Sequence, residues 1–334
     1  MSKFGTMKTI ASITGVAAYV PDYILANEEL EEMMDTSNEW IMTRCGVSER
    51  RILKDKDKAS AFMAAEAAQK LLSKKGIDPL EIELIIVATV TPDHQYPATA
   101  NIVSEMIGAT NAWGFDIQAA CSSFLSALQT GSKFIESGTH QKVLVIGSDK
   151  MSSIVDYTCR KTSILFGDGA GAVLLEPTTD ENGILDCKLY ADGSMKNALY
   201  QPAGGSLIPA SHDSVLNKQH FVHMDGQSVF KVAVVKMADV AEEMMVRNNL
   251  TSDDIAFLVP HQANKRIIEA TGERMGISSD KVMLNIHKYG NTTSATMPLC
   301  LAEWESKLKK GDNLILTTFG AGFTWGGMYL KWAY

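Results

Sequence analysis

The sequence predicts an α/β protein built from two related halves. Three observations lead there: continuous apolar runs of strand length, amphipathic helices between them, and an order of elements that occurs twice. The strand runs are LIIVATVT (84–91), KVLVIGSD (142–149), GAVLLEP (171–177), IAFLVPHQ (255–262), NLILTTFGAG (313–322) and GGMYLKW (326–332). Unbroken apolar runs of this length suit strands covered on both faces. SAFMAAEAAQKLLSKKG (60–76) and SVFKVAVVKMADVAEEMMVRNN (228–249) carry apolar residues at helical spacing and predict amphipathic helices.

In chain order, MKTIASITGVAAYVPDYI (7–24) comes first. A lysine before a short apolar run raises an export signal, but Thr9, Ser12, Thr14 and Gly15 interrupt it and a Pro-Asp turn ends it. A first strand pair is the expectation. The helix at 60–76 then leads to IDPLEIELIIVATV, and the helix at 228–249 leads to LTSDDIAFLVPH. Each half closes with a Gly-rich turn into an apolar strand, FGDGAGAVLLEP and FGAGFTWGGMYLKW. Aligning Ile82 with Ile255 places Cys121 39 residues on and Asn291 36 residues on. The unit is too long for a solenoid repeat. It predicts an internal duplication, residues 1–180 and 181–334, with both halves lining one cleft about a pseudo-twofold axis. Residues 192–226, rich in Gly, Pro, Ser and His, show no period and predict a surface loop or lid.

Composition narrows the class. The 334 residues are 46% hydrophobic and 21% charged, a globular balance. The net charge is -8, from 31 basic and 39 acidic residues, so no overall field attracts nucleic acid or anionic lipid. A polyanionic partner must meet a local basic patch. Five cysteines at wide spacing, with no CxxC pair, suggest neither a zinc knuckle nor a disulfide framework and fit a reducing cytoplasm. No stretch approaches the length of a membrane span.

Three residues stand out for chemistry. In FDIQAACSSFLSAL (115–128), Cys121 falls in the first turn of a helix whose buried face is Phe124, Leu125 and Leu128. Unpaired N–H groups and the macrodipole there favour a thiolate, and small neighbours leave room for a substrate. A buried structural cysteine is the competing reading. His261, in LVPHQANKRI, follows a buried strand and precedes a helix, at the strand end where open α/β sheets place ligands. Asn291, in HKYGNTTSATMP, sits in a tight turn of small hydroxyl residues; a solvated turn asparagine is the bland alternative. Cys, His and Asn follow in that order, 140 and 30 residues apart. That spacing invites a papain-like thiol protease, but such enzymes carry a CGSCW-like stretch near the mature N-terminus, where this chain has AACSSF. FGDGAGA (166–172) runs into a strand and not a helix, so its glycines fit tight packing and not a dinucleotide fingerprint.

Six motifs in order, DIQAACSSF, FGDGAGA, MDGQSVFK, PHQANKRI, KYGNTTSA and FGAGFTWG, resemble the β-ketoacyl-acyl carrier protein synthase III family of thiolase-fold condensing enzymes. The resemblance runs from about Ile10 to the C-terminus. It implies an α/β thiolase-like fold, duplicated halves in a five-layered αβαβα arrangement, as a homodimer. It implies that Cys121 takes the acyl group from an acyl-CoA. His261 and Asn291 would bind the malonyl thioester carbonyl and stabilise the enolate left by CO2. Phe319 would be the aromatic that favours losing a carboxylate, and the N–H groups of Cys121 and Ala321 the oxyanion hole. At position 321 many relatives carry glycine, but only the backbone is used.

For coenzyme A the resemblance implies Trp40 and Arg44 in NEWIMTRCGV, with Arg160, Asn264 and Gly226. Stacking on an aromatic ring and guanidinium groups suits an adenine. Lys231 and Arg266 would form the basic patch for acidic acyl carrier protein. Tyr96 matches a position that enters the partner subunit's acyl pocket, where many relatives have phenylalanine, and leaves the primer open between acetyl, another short straight chain and a short branched chain. No metal or redox cofactor is implied, nor any nucleic-acid or membrane partner. Same-fold acyltransferases or condensing enzymes of secondary metabolism are the nearest alternative. The thiol protease and a non-catalytic carrier-protein-binding module stand further off.

Overall fold

The computed structural model describes residues 9–334; residues 1–8, the start of the segment weighed as an export signal, lie outside them. We number the strands of the two main sheets and the helices of eight residues or more. The first sheet holds β1 (Ile10–Tyr19), β2 (Leu84–Ala88), β3 (Trp113–Ile117), β4 (Val143–Lys150) and β5 (Asp168–Thr178), in the order β1-β5-β4-β2-β3. The second holds β6 (Ile184–Ala191), β7 (Ile255–Pro260), β8 (Asn313–Gly320) and β9 (Thr324–Lys331), in the order β7-β8-β9-β6. In the first sheet β3, β2 and β4 run parallel while the β4–β5 and β5–β1 pairs are antiparallel; in the second β7 and β8 run parallel while the β8–β9 and β9–β6 pairs are antiparallel.

The helices are α1 (Asn38–Cys45), α2 (Ser60–Lys75), α3 (Thr99–Ile107), α4 (Ser123–Glu136), α5 (Gly226–Arg247), α6 (Lys265–Met275) and α7 (Thr296–Trp304). Helices α4 and α7 lie between the sheets, α2 and α3 cover the outer face of the first, and α5 and α6 cover the second. That gives five layers. Strand β2 shows why its sequence is apolar throughout. Leu84, Ile86 and Ala88 enter the central cluster with Phe124, Leu128, Leu316 and Met297, while Ile85 and Val87 enter the outer cluster with Ala64, Ala68 and Leu71. Alternate side chains point to opposite faces, so a strand buried on both has no polar phase. Alanines on α2 let it lie close to the sheet, and Gly76 ends it in the left-handed conformation at φ 65°.

Two expectations need correction. The N-terminal segment is not a strand pair. Strand β1 runs unbroken along β5 from Ile10 to Tyr19, with a register shift between Ile13 and Gly15, and Ile24–Ala26 joins Glu49–Arg51 in a separate ribbon. Residues 192–226 are not structureless. Leu199–Tyr200 pairs with His223–Met224, and Ser211 caps a short helix, His212–Leu216, reciprocally with Ser214. Elements of two to five residues are too short to show a period.

The repeat is confirmed in detail but its register shifts. Ala88 lies opposite Gly147 in the first sheet, and Pro260 opposite Thr317 in the second. These equivalences make Thr89 the counterpart of His261, and Asp149 the counterpart of Phe319. Ala120 and Thr293, both at positive φ (49° and 53°), open the matching turns, so Cys121 corresponds to Ser294 and not to Asn291. Strand β3 has no full counterpart; its place in the second half is reduced to a single bridge, Leu258 to Val282.

Candidate active site

Cys121 lies in a single 3-10 turn, Ala120–Ser122, that runs directly into α4. Strand β8 approaches this turn closely. A Cβ on Gly320 would lie 2.8 Å from the Cys121 nitrogen, so only glycine lets the strand end there. Thr318 at the same strand end donates from Oγ1 to the Cys121 carbonyl (2.9 Å). One residue back, the Thr317 carbonyl accepts from the His261 N–H (2.8 Å). The His261 Nδ1 sits 2.7 Å from Thr296 Oγ1. Thr296 Oγ1 in turn reaches the Thr293 carbonyl (3.1 Å), and the Thr293 N–H donates to Asn291 Oδ1 (2.8 Å). A short path of polar contacts therefore joins the Cys121 turn, His261 and Asn291, from both halves of the chain.

The path also orients the polar groups. Asn291 spends its oxygen on Thr293, which turns its amide Nδ2 away. His261 is held at Nδ1. Among the described residues neither Asn291 Nδ2 nor His261 Nε2 has a protein partner. All three side chains are buried. Burial holds the His261 pKa down at about 3, so the ring is neutral throughout the physiological range. Burial also pushes the Cys121 thiol up to about 12; the nearby Asp149 carboxylate adds to the rise and the Cys121 backbone N–H offsets part of it. Desolvation thus opposes the N–H groups that favour a thiolate at the helix start.

The remaining predicted residues fall in two regions. Phe319 is buried at the end of β8 with its ring 4.8 Å from that of Phe323, and Ala321 follows in the turn before β9. Trp40 on α1 has the guanidinium groups of Arg44 and Arg160 over its ring, at 5.6 and 5.3 Å. Asn264 caps α6 through the Arg266 N–H and donates to the Arg44 carbonyl (2.8 Å), so both ends of its amide are held by protein. Gly226 is the first residue of α5. Lys231 and Arg266 are exposed, with Arg266 over the Phe230 ring at 4.7 Å. Tyr96 is 86% exposed, in the segment between β2 and α3.

Sequence reasoning missed three residues that hold the site: Thr296, Thr318 and Asp149. Thr296 lay inside the noted run of hydroxyl residues, and Asp149 ended a buried strand, where a carboxylate needs a reason. Thr318 gave no signal.

The fold is that of the thiolase-like condensing enzymes. Residues 115–193 match the family profile 3-Oxoacyl-[acyl-carrier-protein (ACP)] synthase III, and residues 245–332 match its C-terminal counterpart. The chain is 58% identical over 326 residues to Beta-ketoacyl-[acyl-carrier-protein] synthase III of Chlorobium phaeobacteroides, covering 96% of this chain and 99% of the relative. It is 54% identical over 327 residues to the protein of the same name from Porphyromonas gingivalis, covering 98% of each. The crystal structure of 3-oxoacyl-[acyl-carrier-protein] synthase III from Aquifex aeolicus superposes with a TM-score of 0.88 at 40% identity, covering 96% of this chain and all of that one. The chain belongs to the 3-oxoacyl-[acyl-carrier-protein] synthase III family, and it is an acyl-transferring condensing enzyme.

Proposed function

We propose that the protein condenses a short acyl-CoA primer with malonyl-acyl carrier protein, in two half-reactions at one site, to start fatty acid synthesis. The observation that carries the reading is the path of polar contacts from the Cys121 turn to His261 and Asn291, which leaves His261 Nε2 and Asn291 Nδ2 without a protein partner among the described residues.

In the first half-reaction the Cys121 sulfur attacks the primer thioester. The bond to the Cys121 sulfur forms first and gives a tetrahedral intermediate; on its collapse the bond to the coenzyme A sulfur breaks, and the Cys121 proton ends on coenzyme A. Because burial raises the thiol pKa, proton loss accompanies the attack. The N–H groups of Cys121 and Ala321 hold the oxyanion of the tetrahedral intermediate. In the second half-reaction malonyl thioester loses CO2, and the electron pair passes into an enolate. His261 and Asn291 donate to its oxygen; one such donor is worth ~3 kcal/mol of barrier. Neutral donors serve here because a cation would also hold the departing carboxylate in place, and the Phe319 ring gives that carboxylate no partner. The enolate carbon attacks the acyl-Cys121 thioester, 3-oxoacyl product leaves, and the Cys121 sulfur regains a proton from solvent. The chemistry calls for no metal or redox group.

Trp40 between Arg44 and Arg160 is the coenzyme A mouth in this reading, and Lys231 with Arg266 the carrier-protein dock, meeting an acidic partner despite the net charge of -8. Strand β3 is an open sheet edge with Trp113 half-exposed. An edge of that kind invites pairing with a second copy, which would bring each exposed Tyr96 toward the partner's acyl site in a homodimer. No helix of the described residues is long and apolar enough to cross a membrane; we place the enzyme in the cytoplasm.

The test is intact-protein mass after mixing with a panel of acyl-CoAs, then malonyl-acyl carrier protein. Acylation of Cys121 that malonyl-acyl carrier protein discharges as 3-oxoacyl product supports the reading and fixes the primer. Acylation it cannot discharge would move the assignment to an acyltransferase of secondary metabolism.

A further inference from the structure

The two helix starts share a hydroxyl three residues after a left-handed residue, and the two hydroxyls are used differently. In the first half Ser123 Oγ accepts from the Ala119 N–H (2.7 Å) and donates to the Ala120 carbonyl (2.6 Å). A backbone donor occupies one of its two lone pairs, and its proton goes to the Ala120 carbonyl, which can only accept. In the second half no backbone N–H reaches the Thr296 hydroxyl among the described residues. Its two neighbours are the Thr293 carbonyl, now stretched to 3.1 Å, and His261 Nδ1 at 2.7 Å. One proton cannot serve both. A hydroxyl donor prefers about 2.7–2.8 Å, whereas an N–H donor to oxygen prefers about 2.9–3.0 Å. The shorter contact is therefore the one with the hydroxyl proton in it.

We infer that Thr296 is a positioning residue: its hydroxyl donates to Nδ1 of His261, which leaves the imidazole proton on Nε2, the ring nitrogen with no protein partner. His261 then presents a hydrogen-bond donor and cannot, in this tautomer, act as a base toward the Cys121 thiol. The inference rests on the decarboxylating reading above, in which His261 must donate to the enolate oxygen. In the opposite tautomer the same ring would present a lone pair to that oxygen and repel it. The which-nitrogen question that governs histidine chemistry is thus settled by a side chain that touches no substrate.

The test combines two substitutions with a spectroscopic readout. Thr296→Val keeps the branched shape and removes the hydroxyl; Thr296→Ser keeps the hydroxyl. Losing an oriented donor outright costs ~100–1,000-fold, so losing only its tautomer is expected to slow CO2 release from malonyl-acyl carrier protein by ~10–100-fold in Thr296→Val. Thr296→Ser should recover to within about threefold, and acylation of Cys121 by acyl-CoA should change less than about threefold in either. In a His261→Ala background Thr296→Val should add nothing. Nitrogen NMR of histidine-labelled protein should show His261 protonated at Nε2 in the unsubstituted enzyme and redistributed in Thr296→Val. A proton found on Nδ1, an unchanged CO2 release in Thr296→Val, or a further loss in the His261→Ala background would each overturn the inference. If the unsubstituted enzyme releases no CO2 at all, the condensing reading fails instead, and the NMR result still decides the tautomer.

Discussion

The turn at Cys121 and its counterpart at Ser294 occupy equivalent places in the two halves, yet the proposed reaction uses only the first, and the second is tied shut. Around Cys121 the equivalent strand ends supply His261 and Phe319, and polar groups are left unpaired. Around Ser294 they supply Thr89 and Asp149. Asp149 Oδ1 accepts from Thr89 Oγ1 (3.0 Å), the Val90 N–H (2.7 Å), and both the N–H and hydroxyl of Thr91 (3.1 and 3.0 Å). Its Oδ2 faces the Ser294 N–H (3.0 Å) and hydroxyl (2.5 Å). A duplicated fold offers two helix starts for chemistry. In the proposed reaction this chain uses one, and the other is a brace for the loop that carries Asn291 and Thr296. Burial raises the Asp149 pKa while these donors lower it. The knot thereby confines a carboxyl group close enough to raise the Cys121 thiol.

The largest effect expected is at the reactive turn. Cys121→Ala should abolish acyl transfer from acyl-CoA, read by intact mass, and adding Ser294→Cys to that variant should not restore it. A thiol at position 294 would face Asp149, with no neutral donor beside it. Acylation at position 294 would show that the helix start alone suffices and would break the comparison.

Next comes the brace. Asp149→Ala removes the acceptor shared by six donor groups, of which the Ser294 hydroxyl and the Thr91 N–H keep a second one, at the Ala88 carbonyl and Thr89 Oγ1. Removing one partner from such a network costs ~3–5 kcal/mol, which should appear as a fall in urea midpoint with the slope unchanged. A loss under about 1 kcal/mol would mean the donors find water, and the second turn would be no brace.

Asn291→Ala divides the half-reactions. Acylation of Cys121 should survive within a few-fold, while malonyl decarboxylation falls ~100–1,000-fold. Equal loss of both would say that the Thr293–Asn291 contact serves the fold and not the enolate.

How much of this was legible beforehand depends on what kind of signal each residue leaves. The strands were legible because burial on both faces forces apolar side chains, as in Leu84 to Ala88. Cys121, His261 and Asn291 were legible because reactive or amide side chains at strand and helix ends are conspicuous, and the six motifs tied them together. The repeat was visible, but its register was three residues out at Asn291. Counting 39 residues on from Ile255 reaches Ser294, a position whose importance lies in backbone conformation and not in its side-chain type. Thr296 and Asp149 were missed for the same reason: hydroxyls and carboxylates are common, and only a distance shows which atom each one holds. The ribbon and short helix within 192–226 were missed because they are held by pairwise contacts such as Ala203 N–H to the Gln219 carbonyl (2.9 Å), which no composition reveals.

The smallest effect expected is a pH dependence that only one of the two turns can show. His261 is buried neutral with its pKa at about 3, against 6.5 for an exposed histidine; its counterpart Thr89 does not titrate. Between those values the unfolded chain binds a proton at this residue and the folded chain does not. Stability from this source is therefore complete above pH 6.5 and is lost as pH falls toward 3, by at most ~1.4 kcal/mol per pH unit. His261→Gln removes the titrating group, so its unfolding free energy should fall less steeply with acid than that of the unsubstituted enzyme, by up to one proton's slope across this window. Urea titrations at intervals from pH 6.5 down to 4 would read the difference. Parallel slopes would mean that His261 takes up its proton in the folded state. The reactive turn would then offer a cation to the malonyl carboxylate, and the preference for neutral donors, on which the contrast between the two turns depends, would no longer hold.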